Sequence, residues 1–370
     1  MNVKFRALFL PCFFLILAAW SQAQPPNQSA SFRADHDSIR ILGRTMKNSS
    51  GNIHFDWPGV SVKFNFSGSY CALKMDDSGK NFYNVFIDDL PLALHSVYSD
   101  TILVLAENLP QGKHSLTLTK RTEGNQGLAE FKGVILSGEG SLLSPPESAS
   151  RKIEFIGNSI TCGYGAESET KTEAFKAETE NNYKSYAAII GRAFDAECHM
   201  IAHSGQGVVR NYGYADPVSP YTMPDRYRQV LDNKPEPAWN FSDWVPDMVV
   251  INLGTNDFST APHPQESVFN RAYTNLISFI RANYGSIPVF CIVGPMTDEP
   301  CYSYVKKMVE GNRSFLNDKN IYFIGIPPYL LVEEDWGAWH PNYSGHLKMA
   351  HHAIPVISAV TGWEVKEGVE

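Results

Sequence analysis

Four residues scattered along the chain have the types that acyl transfer needs. Ser159 lies in the stretch "IEFIGNSITCGYGAE", where an apolar run, Ile153 to Ile156, ends abruptly in Gly157-Asn158-Ser159. Gly205 lies in "HSGQG", Asn256 in "GTND" and His340 in "HPN". A serine hydroxyl is a weak nucleophile until a base within hydrogen-bond reach takes its proton. Histidine suits that task because its ordinary pKa is close to neutrality. The tetrahedral intermediate then carries an oxyanion, which needs preorganised donors. The N–H of Ser159, the N–H of Gly205 and the side-chain amide of Asn256 are the candidates, and a glycine lets backbone come close to a ligand. Taken singly, each residue has an ordinary reading. A serine after a strand is commonly a turn or N-cap residue, "GTND" a β-turn and "HPN" a helix start. What points to chemistry is that all four follow the ends of predicted strands.

Those strands belong to an alternating strand–helix pattern after about residue 150. "KIEFIG", "ECHMIAHSG", "PDMVVINLGTND", "IPVFCIVGP" and "IYFIGIPP" read as strands. "NNYKSYAAIIGRAFDA", "ESVFNRAYTNLISFIRANYG", "SYVKKMVEGNRSFLND" and "SGHLKMAHHAIPVISAVTG" read as helices. Continuous apolar strands separated by helices predict a parallel sheet covered on both faces. In such a sheet ligands meet the carboxyl ends of the strands. Residues 36–143 differ. Short runs of period two, such as "GVSVKFNFSGS" and "HSLTLTKRTE", with Asp-Ser-Gly, Pro-Gln-Gly and Asn-Gln-Gly between them, predict an all-β sandwich of jelly-roll type. "SPPESASRK", 144–152, reads as the linker, and 153–370 as the second domain. Residues 24–35 are polar and Pro/Ser-rich and read as a loose N-terminus.

Bulk properties bound the function. A length of 370 residues suits two domains. The formal net charge of −8 leaves no basic stripe for phosphates and argues against a nucleic-acid partner. Lys4 and Arg6, the apolar "ALFLPCFFLILAAW" and Ser21-Gln22-Ala23 form a signal-peptide pattern over residues 1–23. The expectation is an exported protein, periplasmic or extracellular, a monomer, with no stable membrane insertion after cleavage. Cys71, Cys162, Cys198, Cys291 and Cys301 would remain, an odd number without framework or metal spacing. Cys291 and Cys301 can pair, or all five can be buried as small apolar residues.

Taken together, the second-domain blocks resemble the SGNH (GDSL-like) hydrolase family. "FIGNSIT" matches its first block, with Asn158 where an Asp is usual; Gly205, Asn256 and His340 match the later ones. With "HFDWPGVSVKFNF", "NVFIDD" and "HPNYSGHLKMA", nearly the whole mature chain is similar to carbohydrate esterase family 2. The resemblance implies a flavodoxin-like parallel sheet behind the sandwich and a serine esterase using no metal and no organic cofactor. It implies removal of O-acetyl groups from hemicellulose, xylan or glucomannan, through an acetyl-enzyme. One position departs from the pattern. SGNH enzymes commonly carry an acid three residues before the histidine; here that residue is Gly337, followed by Ala338. Either a backbone carbonyl within Gly337–Trp339 orients His340, as in the dyads of some members, or an acid such as Asp335 folds in. Trp339, Tyr164 and Trp244 are candidate stacking surfaces for a sugar. Asp257 is expected to brace the Asn256 turn, and His203 to sit behind the Gly205 loop. His346, His351 and His352 are expected to be solvated or capping residues of the closing helix. Two other functions stay open: an SGNH lipase or thioesterase acting on other acyl esters, and a non-catalytic glycan-binding protein.

Overall fold

The computed structural model describes residues 29–366, so the signal-peptide expectation for 1–23 lies outside the described residues. Two antiparallel sheets form the N-terminal sandwich. One runs in the order Thr101–Ala106, Cys71–Asp77, Ala129–Ser137, Ile53–Phe55, Met46–Lys47. The other runs Ser141–Leu142, Ser61–Ser67, Lys113–Lys120, Asn81–Ile87, Leu90–Pro91. Alternation does the folding work here. Along Ser61–Ser67, Val62, Phe64 and Phe66 are buried while Lys63, Asn65 and Ser67 are not. Each such aliphatic or aromatic burial is worth about 1.5–3 kcal/mol.

The expectation of a loose segment at 24–35 is corrected for 29–35, and 24–28 lie outside the described residues. Ser29–Arg33 is an edge strand, pairing residue by residue with Gly133–Ser137. Phe32 packs on the sandwich core, and this anchor outweighs the Ser-rich composition. The parallel sheet also starts earlier than the composition suggests, at Arg151, inside the segment read as linker.

The second domain is a five-stranded parallel sheet. In chain order its strands are Arg151–Gly157, Ala196–Ala202, Met248–Asn252, Val289–Val293 and Ile321–Gly325. In space the second lies outside the first, followed by the third, fourth and fifth, which is the flavodoxin-like order. Met248–Asn252 is buried throughout, as expected of a strand covered on both faces. Phe155, Val250 and Ile292 point to one side, against the helices Tyr186–Ala193 and Tyr343–Thr361. Ile156, Ile251 and Val293 point to the other, against Glu266–Tyr284 and Cys301–Phe315.

The sandwich docks on the sheet through buried polar contacts as well as apolar ones. Arg44 and Glu154, both without exposed side-chain surface, form an ion pair at 2.9 Å. Trp57 Nε1 donates to Val230 O at 2.9 Å, and Asp56 accepts the N–H groups of Asp232 and Asn233. Removing one partner of a buried pair such as Arg44–Glu154 costs about 3–5 kcal/mol. The two domains are therefore packed together, through the middle of the first parallel strand and the 229–233 segment. All five described cysteines are free thiols, including Cys291 and Cys301.

Candidate active site

Gly157, Ala202 and Asn252 are register neighbours, so the first, second and third parallel strands end level with one another. The segments that follow carry Ser159, Gly205 and Asn256 to one edge. After Gly157 the chain turns at once into a four-residue helix, Ser159–Cys162. Asn158 caps it, its Oδ1 accepting the Ile160 N–H at 3.1 Å. This explains the tolerance for Asn where an Asp is usual, since either oxygen can cap. Gly157 has no room for a side chain: a Cβ there would stand 2.0 Å from Thr161 Oγ1. As the first residue of its helix, Ser159 has an N–H with no intrahelical partner.

His340 reaches Ser159 from the far end of the domain. Its Nε2 is 2.9 Å from Ser159 Oγ, and its Nδ1 is 3.0 Å from Ala338 O. A carbonyl only accepts, so Nδ1 carries the ring proton and Nε2 is the free base facing the hydroxyl. Burial pushes the His340 pKa down to about 4, against a smaller upward push from the Ala338 carbonyl.

Of the two orienting partners left open, the carbonyl is the one in contact. Trp336–Gly337 and His340–Pro341 form a minimal hairpin joined by Ala338 and Trp339, with φ of 48° and 63°. Two positive φ values mark a type I′ turn, which Asn-Gly would adopt without strain. Here the turn is held by its surroundings: Ala338 N–H donates to Thr170 O at 2.9 Å and Trp339 N–H to Lys171 O at 2.6 Å. Asn342, two residues after His340, caps the closing helix through the Gly345 N–H. Asp335 is buried and engaged elsewhere. It accepts from the Val332 N–H, Ser344 Oγ and Lys348 Nζ.

Gly205 adopts φ +77°, and Asn256 Nδ2 donates to Gln206 O at 2.8 Å. That bond uses one amide hydrogen and ties the two oxyanion candidates together. Asp257 does more than brace its own turn. Its carboxylate accepts three successive N–H groups, those of Val208, Val209 and Arg210, and so secures the loop that carries Gly205.

The aromatic residues divide. Tyr164 lies against His340, ring centroids 4.2 Å apart, and stacks on Phe175 at 4.2 Å. Trp339 is 58% exposed beside the histidine. Trp244 is not at the site. Its indole stacks on His199 at 3.6 Å, and His199 pairs in register with Glu154, well below the strand ends. Its placement is a packing role under the second strand. Two residues escaped the sequence analysis. Phe175 sits in a loop without periodicity, and Tyr212, exposed, has its Cβ 3.8 Å from where a Gly205 Cβ would be. Tyrosines at 212, 214 and 221 after the "HSGQG" block were the available signal.

The other histidines also divide. His203 is buried, Nδ1 2.6 Å from Asp232 Oδ2. His351 and His352 are exposed, but His346 is fully buried and accepts the Tyr186 N–H at its Nδ1, so its reading as solvated or capping is corrected. Its ring packs near that of Tyr186, which makes it part of the joint between two helices. Among the described residues one group, Glu123, Cys162 and Glu180, brings metal-ligating atom types within 4.8 Å of one another. Burial holds the Cys162 thiol and the Glu180 carboxyl well above their ordinary pKa values, and the group is linked by hydrogen bonds.

Residues 41–146 match the carbohydrate esterase 2 N-terminal family and residues 155–348 the GDSL-like lipase/acylhydrolase family. A family two carbohydrate esterase from Clostridium thermocellum, solved with cellohexaose, superposes with a TM-score of 0.81 at 40% identity, covering 88% of this chain and 99% of that one. The chain belongs to carbohydrate esterase family 2. It is also 40% identical over 335 residues, 89% of this chain, to the cellulase/esterase CelE of Acetivibrio thermocellus, of whose length it spans 40%. An acetylxylan esterase/glucomannan deacetylase of Cellvibrio japonicus is 24% identical, covering 98% of this chain and 100% of its own. This family 2 member is a carboxylic ester hydrolase of the carbohydrate esterase type.

Proposed function

We propose that this esterase is an exported carbohydrate O-acetyl esterase that deacetylates hemicellulose through an acetyl-Ser159 intermediate. The observation that carries the reading is the line from Ser159 Oγ through the His340 ring to Ala338 O, 2.9 and 3.0 Å. As Ser159 attacks the acetyl carbonyl, Nε2 takes its proton. The oxyanion is received by the N–H groups of Ser159 and Gly205 and the second amide hydrogen of Asn256. His340 then protonates the departing sugar oxygen, and water, deprotonated by the same Nε2, releases acetate. The Ala338 carbonyl fixes the tautomer throughout and stabilises the imidazolium less than a carboxylate would. Trp339, exposed beside His340, offers a ring face that suits a sugar, and the exposed Tyr212 lies by Gly205, whereas the faces of Tyr164 are covered by Phe175 and His340.

The acetyl preference and the xylan or glucomannan substrate are supported by the relatives named above, and an exported location by the signal-peptide pattern. Among the described residues no helix is long and apolar enough to cross a membrane. The test is acetate release from acetylated xylan and acetylated glucomannan by wild type and Ser159→Ala. Release by wild type and only background by the variant is expected. Equal rates, or faster turnover of long acyl chains than of acetyl, would reject the proposal.

A further inference from the structure

The oxyanion loop is held by a residue of the other domain. Glu123 lies in the sandwich turn between Lys113–Lys120 and Ala129–Ser137, and it is 2% exposed. Its Oε2 accepts the Ser204 N–H at 2.6 Å, one residue before Gly205. The same oxygen faces Cys162 Sγ at 3.7 Å, the last residue of the helix that Ser159 begins. One carboxyl oxygen therefore touches both segments that place reacting atoms. We propose that Glu123 is a positioning residue for the esterase site, anchoring the His203–Ser204 peptide so that the next peptide aims the Gly205 N–H at the oxyanion.

The turn that carries Glu123 is itself fixed. Its N–H donates to Glu180 Oε1 at 3.3 Å, and Lys120 Nζ donates to its carbonyl at 3.1 Å. Asn233 Nδ2 donates to Gly124 O at 2.7 Å, and a Cβ on Gly124 would stand 2.2 Å from Asp232 Oδ2. Asp232 in turn holds His203, the residue before Ser204. The loop is thus gripped at two consecutive residues, by side chain at 203 and by backbone at 204. The last N–H the neighbouring strand receives is that of His203, on Gly157 O at 3.4 Å, and the next, that of Ser204, goes to Glu123. Without it that donor must find another partner, and turning the His203–Ser204 peptide to do so displaces the Ser204 Cα and, with it, the following peptide, whose Gly205 N–H leaves the narrow distance range an oxyanion donor needs.

This rests on the esterase reading above, and the experiment separates the two. On the full chain, kcat and KM for an aryl acetate are measured for wild type, Glu123→Ala, Glu123→Asp and Glu123→Gln, with Tm for each. Glu123→Ala and Glu123→Asp, the second too short to reach, should lose about 10–100-fold in kcat with KM within about threefold. Glu123→Gln keeps an acceptor oxygen and should recover most of the loss. If the alanine variant does not fold, the aspartate variant decides the matter. A kcat for Glu123→Asp within twofold of an active wild type, or a Glu123→Gln loss equal to that of Glu123→Asp, overturns the positioning role alone. A wild type no faster than Ser159→Ala overturns the esterase reading and this with it.

Discussion

The His203 loop and the His340 hairpin stand past the same edge of the sheet and hold their imidazoles in opposite ways. His203 has the carboxylate partner that a catalytic triad would show, Asp232 at 2.6 Å, with Arg226 on the other carboxylate oxygen. Burial works against its charge, but the hydrogen bond and charge of Asp232, aided by Glu123, win and raise its pKa. His340 has only a carbonyl, so burial wins and its pKa falls to about 4. The lesson concerns what each partner does. A carboxylate favours the imidazolium, which has no lone pair for a serine proton; a carbonyl fixes the tautomer and leaves the base free. The acid pair secures a loop, and the histidine that faces Ser159 has no such partner.

The most severe way to break this contrast is to remove each side. His340→Ala should lower kcat on an aryl acetate by roughly 10⁴–10⁶-fold, as loss of a base in a coupled unit does. Asp232→Asn should lower Tm and cost at least about a hundredfold less in kcat. Comparable losses would make His203 the working base. Next in size, Asn256→Ala should cost about 10²–10³-fold in kcat with little change in KM, the signature of a donor used mainly in the transition state. A rise in KM at constant kcat would instead mark Asn256 as a ground-state contact.

The pH profile sharpens the contrast further. A histidine whose pKa is depressed by burial stays neutral to lower pH, so activity should be flat near neutrality and lost as pH falls through that value. The acid limb of kcat/KM should lie between about 4 and the ordinary value near 6.5. A limb above pH 7 would mean that the essential histidine has a carboxylate-type partner.

How much of this was readable in advance follows from what leaves a mark in sequence. That Ser159, Gly205 and Asn256 stand at one edge was readable because each follows an apolar run that ends in a turn, and a parallel sheet brings such ends level. His340 was readable from "HPN" before an amphipathic helix. The Ala338 carbonyl was not, because every residue has one, and the turn that aims it uses Ala-Trp where Asn-Gly would have signalled a hairpin. Trp244 looked like a sugar platform because spacing does not tell which end of a strand a loop residue packs against. Glu123 left no mark at all, since its partner Ser204 is 81 residues away in the other domain. Ser29–Arg33 was hidden because composition averages over residues, whereas an edge strand needs only Phe32 and a free ladder to pair with.

The smallest expected effect tests the central claim most directly. Asp335 is the nearest acid in sequence to a triad position, and its carboxylate is committed to Val332, Ser344 and Lys348. The measurement is kcat/KM for an aryl acetate across pH for Asp335→Ala beside His340→Ala, with Tm recorded for both. A carbonyl-held dyad predicts that Asp335→Ala lowers Tm but keeps kcat/KM within about threefold of wild type and leaves the acid limb in place. A loss approaching that of His340→Ala, or a shifted acid limb, would show that a carboxylate orients the base after all.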